Sequence, residues 1–124
     1  MTKPRRKGEK RMKAVTKIIF LDDDQEKFFG EGPCRLLHAV EETGSLRSAA
    51  LSMGMSHTKA LKILKNAERA LGFSLTVRVT GGRDGGGSRL TQRGKEWLRS
   101  YEGYRDACAE ANRRLYLEFF PKQR

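Results

Sequence analysis

The reading of this chain turns on Gly44 to Gly72, GSLRSAALSMGMSHTKALKILKNAERALG. Ala50, Gly54 and Ala60 fall four and six residues apart within it. That spacing suits a helix-turn-helix: a small residue where two helices cross, a glycine in the turn, and a small apolar residue packing the second helix back. Gly54 can take the positive φ that a sharp inter-helix turn requires. Ser45 and Ser56 stand just ahead of the two helices, where N-caps are wanted. Gly72 follows Leu71 as a helix stop.

The second helix, about Ser56 to Leu71, carries two faces. Ala60, Leu64, Ala67 and Leu71 recur at i, i+4, i+7 and i+11, an apolar stripe that Leu61 and Ile63 broaden or flank. Lys59, Lys62, Lys65, Asn66 and Arg69 take the other side, with His57 and Thr58 in the exposed first turn. A lysine-rich face alone is often only a solvated one, so the rest of the chain has to decide what this face is for.

Charge distribution decides it. The 124 residues carry 26 basic and 15 acidic side chains, a net charge of +11, and the pI is about 10.1. Residues 1–13 bear +6, residues 14–43 bear −4, residues 44–95 bear +8 and residues 96–124 bear +1. Apart from the N-terminal stretch, positive charge is concentrated on the helix-turn-helix and the segment C-terminal to it, which points to a polyanionic partner. The length is that of one domain with a modest core. No stretch approaches the roughly 18 apolar residues of a membrane span, and the basic N-terminus lacks the apolar segment of a secretory signal. Cys34 and Cys108 stand apart with no CxxC and no histidine cluster, so both read as reduced, packed thiols in a cytoplasmic (nucleoid-associated) protein, and no metal site or cofactor is expected.

Met1 to Lys13, MTKPRRKGEKRMK, has no apolar periodicity, and residues 1–14 read as a disordered basic tail. Thr16 to Leu21 is β-branched and apolar, a strand, and Lys27-Phe28-Phe29 returns as its partner. Asp22, Asp23 and Asp24 between them lack the ligand spacing and closing glutamate of a calcium loop and read as a hairpin turn. Pro33 suits the first turn of a helix whose buried face is Leu36, Leu37, Ala39 and Val40.

Beyond Gly72, Leu75, Val77 and Val79 alternate with Thr76, Arg78 and Thr80, the pattern of a half-buried strand. Gly81 to Ser88, GGRDGGGS, is a glycine-laden tip, and Arg89-Leu90-Thr91 returns as a strand. Such a hairpin is a wing. A phosphate-cradling loop is the rival reading, but its essential lysine would fall at Gly87, and the chain returns as a strand before the next helix. Thr91 then N-caps a long helix, Gln92 to about Phe119, stopped by Pro121. Tyr104, Cys108, Ala111, Leu115 and Phe119 continue along it at steps of three and four, close to a heptad seam. A seam running past the domain's own core is expected to pair with a second copy. The expected fold is therefore mainly α with small β. It has a winged helix-turn-helix over residues 15–91 (N-terminal hairpin, three helices and wing) and a dimerisation helix over residues 92–121.

The run GSLRSAA, GMS, ALG and TGGRDGGGSRLTQRG resembles the N-terminal DNA-binding domain of ModE-type molybdate-responsive regulators, and its helix-turn-helix is similar to that of LysR-type regulators as well. The Thr80-Gly81-Gly82 and Gly85-Gly86-Gly87 tip, followed by Leu90-Thr91 and Gly94, is the more specific part. The likeness covers roughly residues 16–120. It implies recognition helix and wing on DNA, with the terminal helix pairing a homodimer. Full-length members continue into β-barrels that bind molybdate. The sequence stops at Arg124, so no molybdate binding is expected within it.

A sequence-specific DNA-binding transcription regulator accounts for all of these features together. The alternative, general nucleic-acid binding without regulatory specificity, would more naturally interleave aromatic with basic side chains. An enzyme is not indicated: neither His38 nor His57 has a nucleophile or carboxylate at a recognisable spacing, and His38 reads as structural. For DNA, His57, Thr58, Leu61, Lys62 and Lys65 are the expected groove contacts, Lys62 being best able to reach guanine acceptors. Ser45, Arg47, Ser48, Ser56 and Lys59 lie near helix ends, where phosphates are met. Arg83 and Arg89 on the wing are expected to track the backbone or enter a narrow minor groove. A paired molecule would meet a pseudo-palindromic duplex.

Overall fold

The computed structural model describes residues 11–80 and 87–121. They belong to two compact units, Ile18–Glu102 and the pair of segments Met1–Lys17 and Gly103–Arg124. In the first unit the order is β1 (Phe20–Leu21), β2 (Lys27–Phe29), α1 (Glu31–Thr43), α2 (Leu46–Ser52), α3 (His57–Leu71), β3 (Thr76–Val79) and β4 (Gly87–Leu90). The long helix α4, Gln92–Phe119, begins in it. Two antiparallel hairpins, β1–β2 and β3–β4, accompany the helices, and the architecture is a winged helix-turn-helix.

The local signals are realised as capping chemistry. Ser45 Oγ accepts the Ser48 N–H at 2.9 Å and Ser56 Oγ accepts the Lys59 N–H at 3.0 Å, so each serine satisfies an amide that its helix leaves over. Gly54 and Gly72 have φ of +69° and +81°, the conformation only glycine adopts without strain. In the acidic turn, Asp22 Oδ1 accepts the N–H groups of Asp24 and Glu26 at 2.8 and 3.0 Å. That carboxylate builds the hairpin turn.

The core lies between α1, α2, α3, the base of the wing and the start of α4. Leu36, Leu37 and Val40 of α1 are fully buried, as are Ala49 and Ala50 of α2 and Ala60 and Ala67 of α3. Alanines at the α2–α3 crossing let the two helix backbones approach closely. Phe29 meets Trp97 and Tyr101 edge-on at centroid separations of 5.3 and 5.0 Å, the favoured geometry for aromatic pairs.

Three elements differ from their sequence patterns. The returning strand of the wing is Gly87–Leu90 rather than Arg89–Thr91, and Thr91 caps α4. The first strand is Phe20–Leu21 rather than Thr16–Leu21, with a register irregularity between its two residues. Its three-residue partner offers no longer ladder, and the Ile18 carbonyl instead accepts the Tyr101 hydroxyl at 3.0 Å. In the wing, Leu75 is buried but Val77 and Val79 are 44% and 39% exposed. A two-stranded ribbon has a packing layer only at its base, so the apolar face of its distal half stays in water.

In the second unit, the Asn112 amide donates to the Ala14 carbonyl at 2.9 Å and the Tyr116 hydroxyl to that of Met12 at 3.1 Å. Residues at the end of the stretch read as a tail are therefore held against α4; residues 1–10 lie outside the described residues. Arg113 pairs with Glu110 and holds that exposed carboxyl below its ordinary range, through a hydrogen bond first and charge second. Tyr104, Leu115 and Phe119 are 55%, 47% and 74% exposed, while Cys108 and Ala111 are half-buried.

Candidate nucleic-acid interface

Helix α3 sorts its side chains by direction. Ala60, Leu64 and Ala67 face the core. Ile63 packs against it, and the Asn66 amide donates to the Lys27 carbonyl at 3.2 Å. Asn66, read from the sequence as part of the basic face, is thus a tie to the N-terminal hairpin. His57, Leu61, Lys65 and Glu68 form a further stripe, turned toward the wing. Thr58, Lys62 and Arg69 are exposed on the side away from the core.

That wing-facing stripe is one wall of a cleft of about 800 Å³. The second wall is the turn between α1 and α2, with Ser45, Arg47 and Ser48; the third is the wing, with Thr76, Arg78 and Ser88. Six of the sequence-predicted residues, Ser45, Arg47, Ser48, His57, Leu61 and Lys65, are brought together here. Ser56, Thr58, Lys59 and Lys62 are exposed on or beside α3, outside the cleft, and Arg89 is exposed on β4. Arg83, with the rest of residues 81–86 of the tip, falls outside the described residues.

Ser88, Glu68 and Thr91 set the walls. The Ser88 N–H donates to the Gly44 carbonyl at 2.8 Å, tying the returning strand to the start of the helix-turn-helix. The Glu68 carboxylate accepts the Leu75 N–H at 2.7 Å and stands 3.7 Å from Lys65 Nζ. The Thr91 hydroxyl donates to the Ser74 carbonyl at 2.7 Å and accepts the Gly94 N–H at 2.9 Å. Wing, recognition helix and α4 are thereby fixed to one another. Glu68, the acidic side chain in the cleft, is engaged in fixing the wing. Arg47, Lys65 and Arg78 leave the cleft positive.

Arg78 is the residue that sequence reasoning passed over. It alternates with the apolar positions of β3, and the register sets it across from Ser88. The signal was the outward parity of a basic residue on a wing strand.

Residues 34–95, half of the chain, match the pattern of the bacterial regulatory helix-turn-helix proteins of the lysR family. The chain belongs to this family. The matched span runs from α1 through the wing into α4 and so contains every wall of the cleft. Among curated relatives, the molybdenum transport protein ModE of Azotobacter vinelandii is 32% identical over 99 residues, 77% of this chain and 37% of that protein. The molybdenum transport protein ModE of Herbaspirillum seropedicae is 41% identical over 63 residues, 51% of this chain and 23% of that protein. The transcriptional regulator ModE of Yersinia pestis is 31% identical over 85 residues, 68% of this chain and 32% of that protein. The chain thus spans about a quarter to just over a third of the length of these relatives. As a LysR-family member it carries a helix-turn-helix DNA-binding domain, and the cleft lies within it. Among the described residues, no helix is long and apolar enough to cross a membrane.

Proposed function

We propose that this chain acts as the sequence-specific DNA-binding part of a transcription regulator of ModE type, working as a homodimer on a pseudo-palindromic duplex. The observation that carries the reading is the convergence of Arg47, Lys65 and Arg78, from three separate elements, on one cleft beside the exposed face of α3. In this reading Lys62, Thr58, His57 and Leu61 enter the major groove, where a side chain can tell base pairs apart. Arg47, Ser45 and Ser48 hold phosphate at one edge of the cleft and Arg78 at the other, while Arg89 and Arg83 of the wing reach the backbone or a narrow minor groove beyond it. The serine caps support this arrangement. Each hydroxyl oxygen already accepts an amide, which leaves its hydrogen to be donated to a phosphate oxygen. The apolar residues of α4 from Tyr104 to Phe119 join two copies, giving the two half-sites that selection from a genome requires.

The reading assigns molybdate no part in how these residues meet DNA. Salt titration of one duplex tests the electrostatic core of the proposal. A dimer neutralising roughly 8 phosphates gives a slope of log K against log salt near −7. A flat response excludes the surface described, and a shift of the DNA Kd on adding molybdate excludes the independence from it.

A further inference from the structure

Cys34 and His38 stand four residues apart on α1, so both point to the same side of the helix. Glu102 reaches that face from α4. Its Oε2 is 2.6 Å from His38 Nε2 and 3.8 Å from the Cys34 sulfur. The three ligand atoms lie within 4.8 Å of one another. A thiol, an imidazole and a carboxylate converging in this way form a donor set, of which the sequence shows only the i, i+4 pair on α1.

We propose that Cys34, His38 and Glu102 form a binding site for a divalent transition ion of the zinc class. Around one tetrahedral ion, bonds of about 2.0 Å to nitrogen and oxygen and about 2.3 Å to sulfur place neighbouring ligand atoms about 3.3–3.5 Å apart. The sulfur-to-oxygen distance of 3.8 Å must close by about 0.3 Å. The imidazole-to-carboxylate distance must open by under about 1 Å, a side-chain adjustment on two groups whose side chains are 45% and 31% exposed. The chemistry of the set selects the metal, because thiolate and imidazole favour zinc over the hard cations magnesium and calcium. Cys34 is buried and in no disulfide, which shields the sulfur, while the half-exposed histidine and glutamate leave a side open for entry and for a fourth, solvent ligand.

The histidine is also oriented for the task. Metal binding through Nε2 leaves the proton on Nδ1, and that nitrogen faces Glu41 Oε1 at 3.9 Å. A carboxylate accepting from the far nitrogen is the usual support for a metal-bound imidazole, and Glu41 has to approach by roughly 1 Å to make that hydrogen bond. Binding at Cys34 releases the thiol proton to solvent and involves no redox step. The ion clamps α1, which packs on the first helix of the helix-turn-helix, to α4. The site stands whether or not the chain binds DNA.

Titrating the reduced, tag-free 124-residue chain with cobalt(II) is the test. One equivalent is expected to raise a thiolate-to-cobalt charge-transfer band with the visible bands of a tetrahedral site, and zinc is expected to bleach both. Cys34→Ala should abolish the band and Cys108→Ala should retain it. Glu102→Gln, at a partly exposed position that leaves the fold intact by circular dichroism, should weaken cobalt by more than the roughly 10–100-fold that a supporting residue costs. No band in the parent chain, a band that survives Cys34→Ala, or unchanged affinity in Glu102→Gln would each overturn the site.

Discussion

Glu68 on α3 holds Leu75 at the foot of the wing: its carboxylate accepts the Leu75 backbone N–H at 2.7 Å and also lies 3.5 Å from the Thr76 nitrogen. Leu75 is fully buried, so its N–H depends on that carboxylate. Glu68→Ala should cost about 1–3 kcal/mol, the penalty of an orphaned buried donor. Glu68→Gln, which keeps a carbonyl oxygen in reach, should recover most of the loss. Urea denaturation of the three proteins checks this; equal midpoints would mean that the wing is held by something else.

Close backbone approach gives a second prediction. A Cβ on Gly94 would stand 2.3 Å from the Leu75 carbonyl oxygen, and one on Gly87 would stand 2.1 Å from that of Gly44. Neither neighbour is a flexible side chain. Gly94→Ala and Gly87→Ala should each destabilise by about 1–3 kcal/mol through forced backbone shifts. Gly103, a helical glycine with nothing within 4 Å of the new methyl, should behave oppositely, with Gly103→Ala gaining roughly 0.5–1 kcal/mol. Thermal melts of the three variants give the signs directly.

Lys62 and Arg47 should fail differently on DNA. Lys62 is exposed on the side of α3 away from the core, and Arg47 lines the cleft at the start of α2. Lys62→Ala is expected to cost about 1–3 kcal/mol on the preferred duplex and to relax one position of it. Arg47→Ala should weaken all duplexes by a similar factor and make the salt slope shallower by about 1 per subunit. Binding to a panel of single-base variants separates the two. Full retention of sequence preference by Lys62→Ala would refute its groove assignment.

The exposed apolar residues of α4 predict a dimer. Leu115 and Phe119 leave 47% and 74% of their surface in solvent, and fully burying each side chain is worth roughly 1.5–3 kcal/mol. Replacing both with serine should yield a folded monomer in sedimentation, with much weaker binding to a palindromic duplex. Persistence of the dimer would place the subunit contact elsewhere.

Much of this architecture is local and was therefore legible in the sequence. The serine caps, the positive-φ glycines, the three-and-four spacing of Ala60, Leu64 and Ala67, and the extent of α4 each depend on residues within a turn or two. Tertiary packing decided the rest. It turned Asn66 away from the basic face toward Lys27, left Val77 and Val79 in solvent where no layer covers the ribbon, and set Arg78 beside Arg47 and Lys65. It also brought Glu102 to His38 across 64 residues. Periodicity states which side of an element is apolar, because that depends on nearest neighbours along the chain. Which other element meets the polar side depends on how the whole chain closes, and only the folded molecule contains that information.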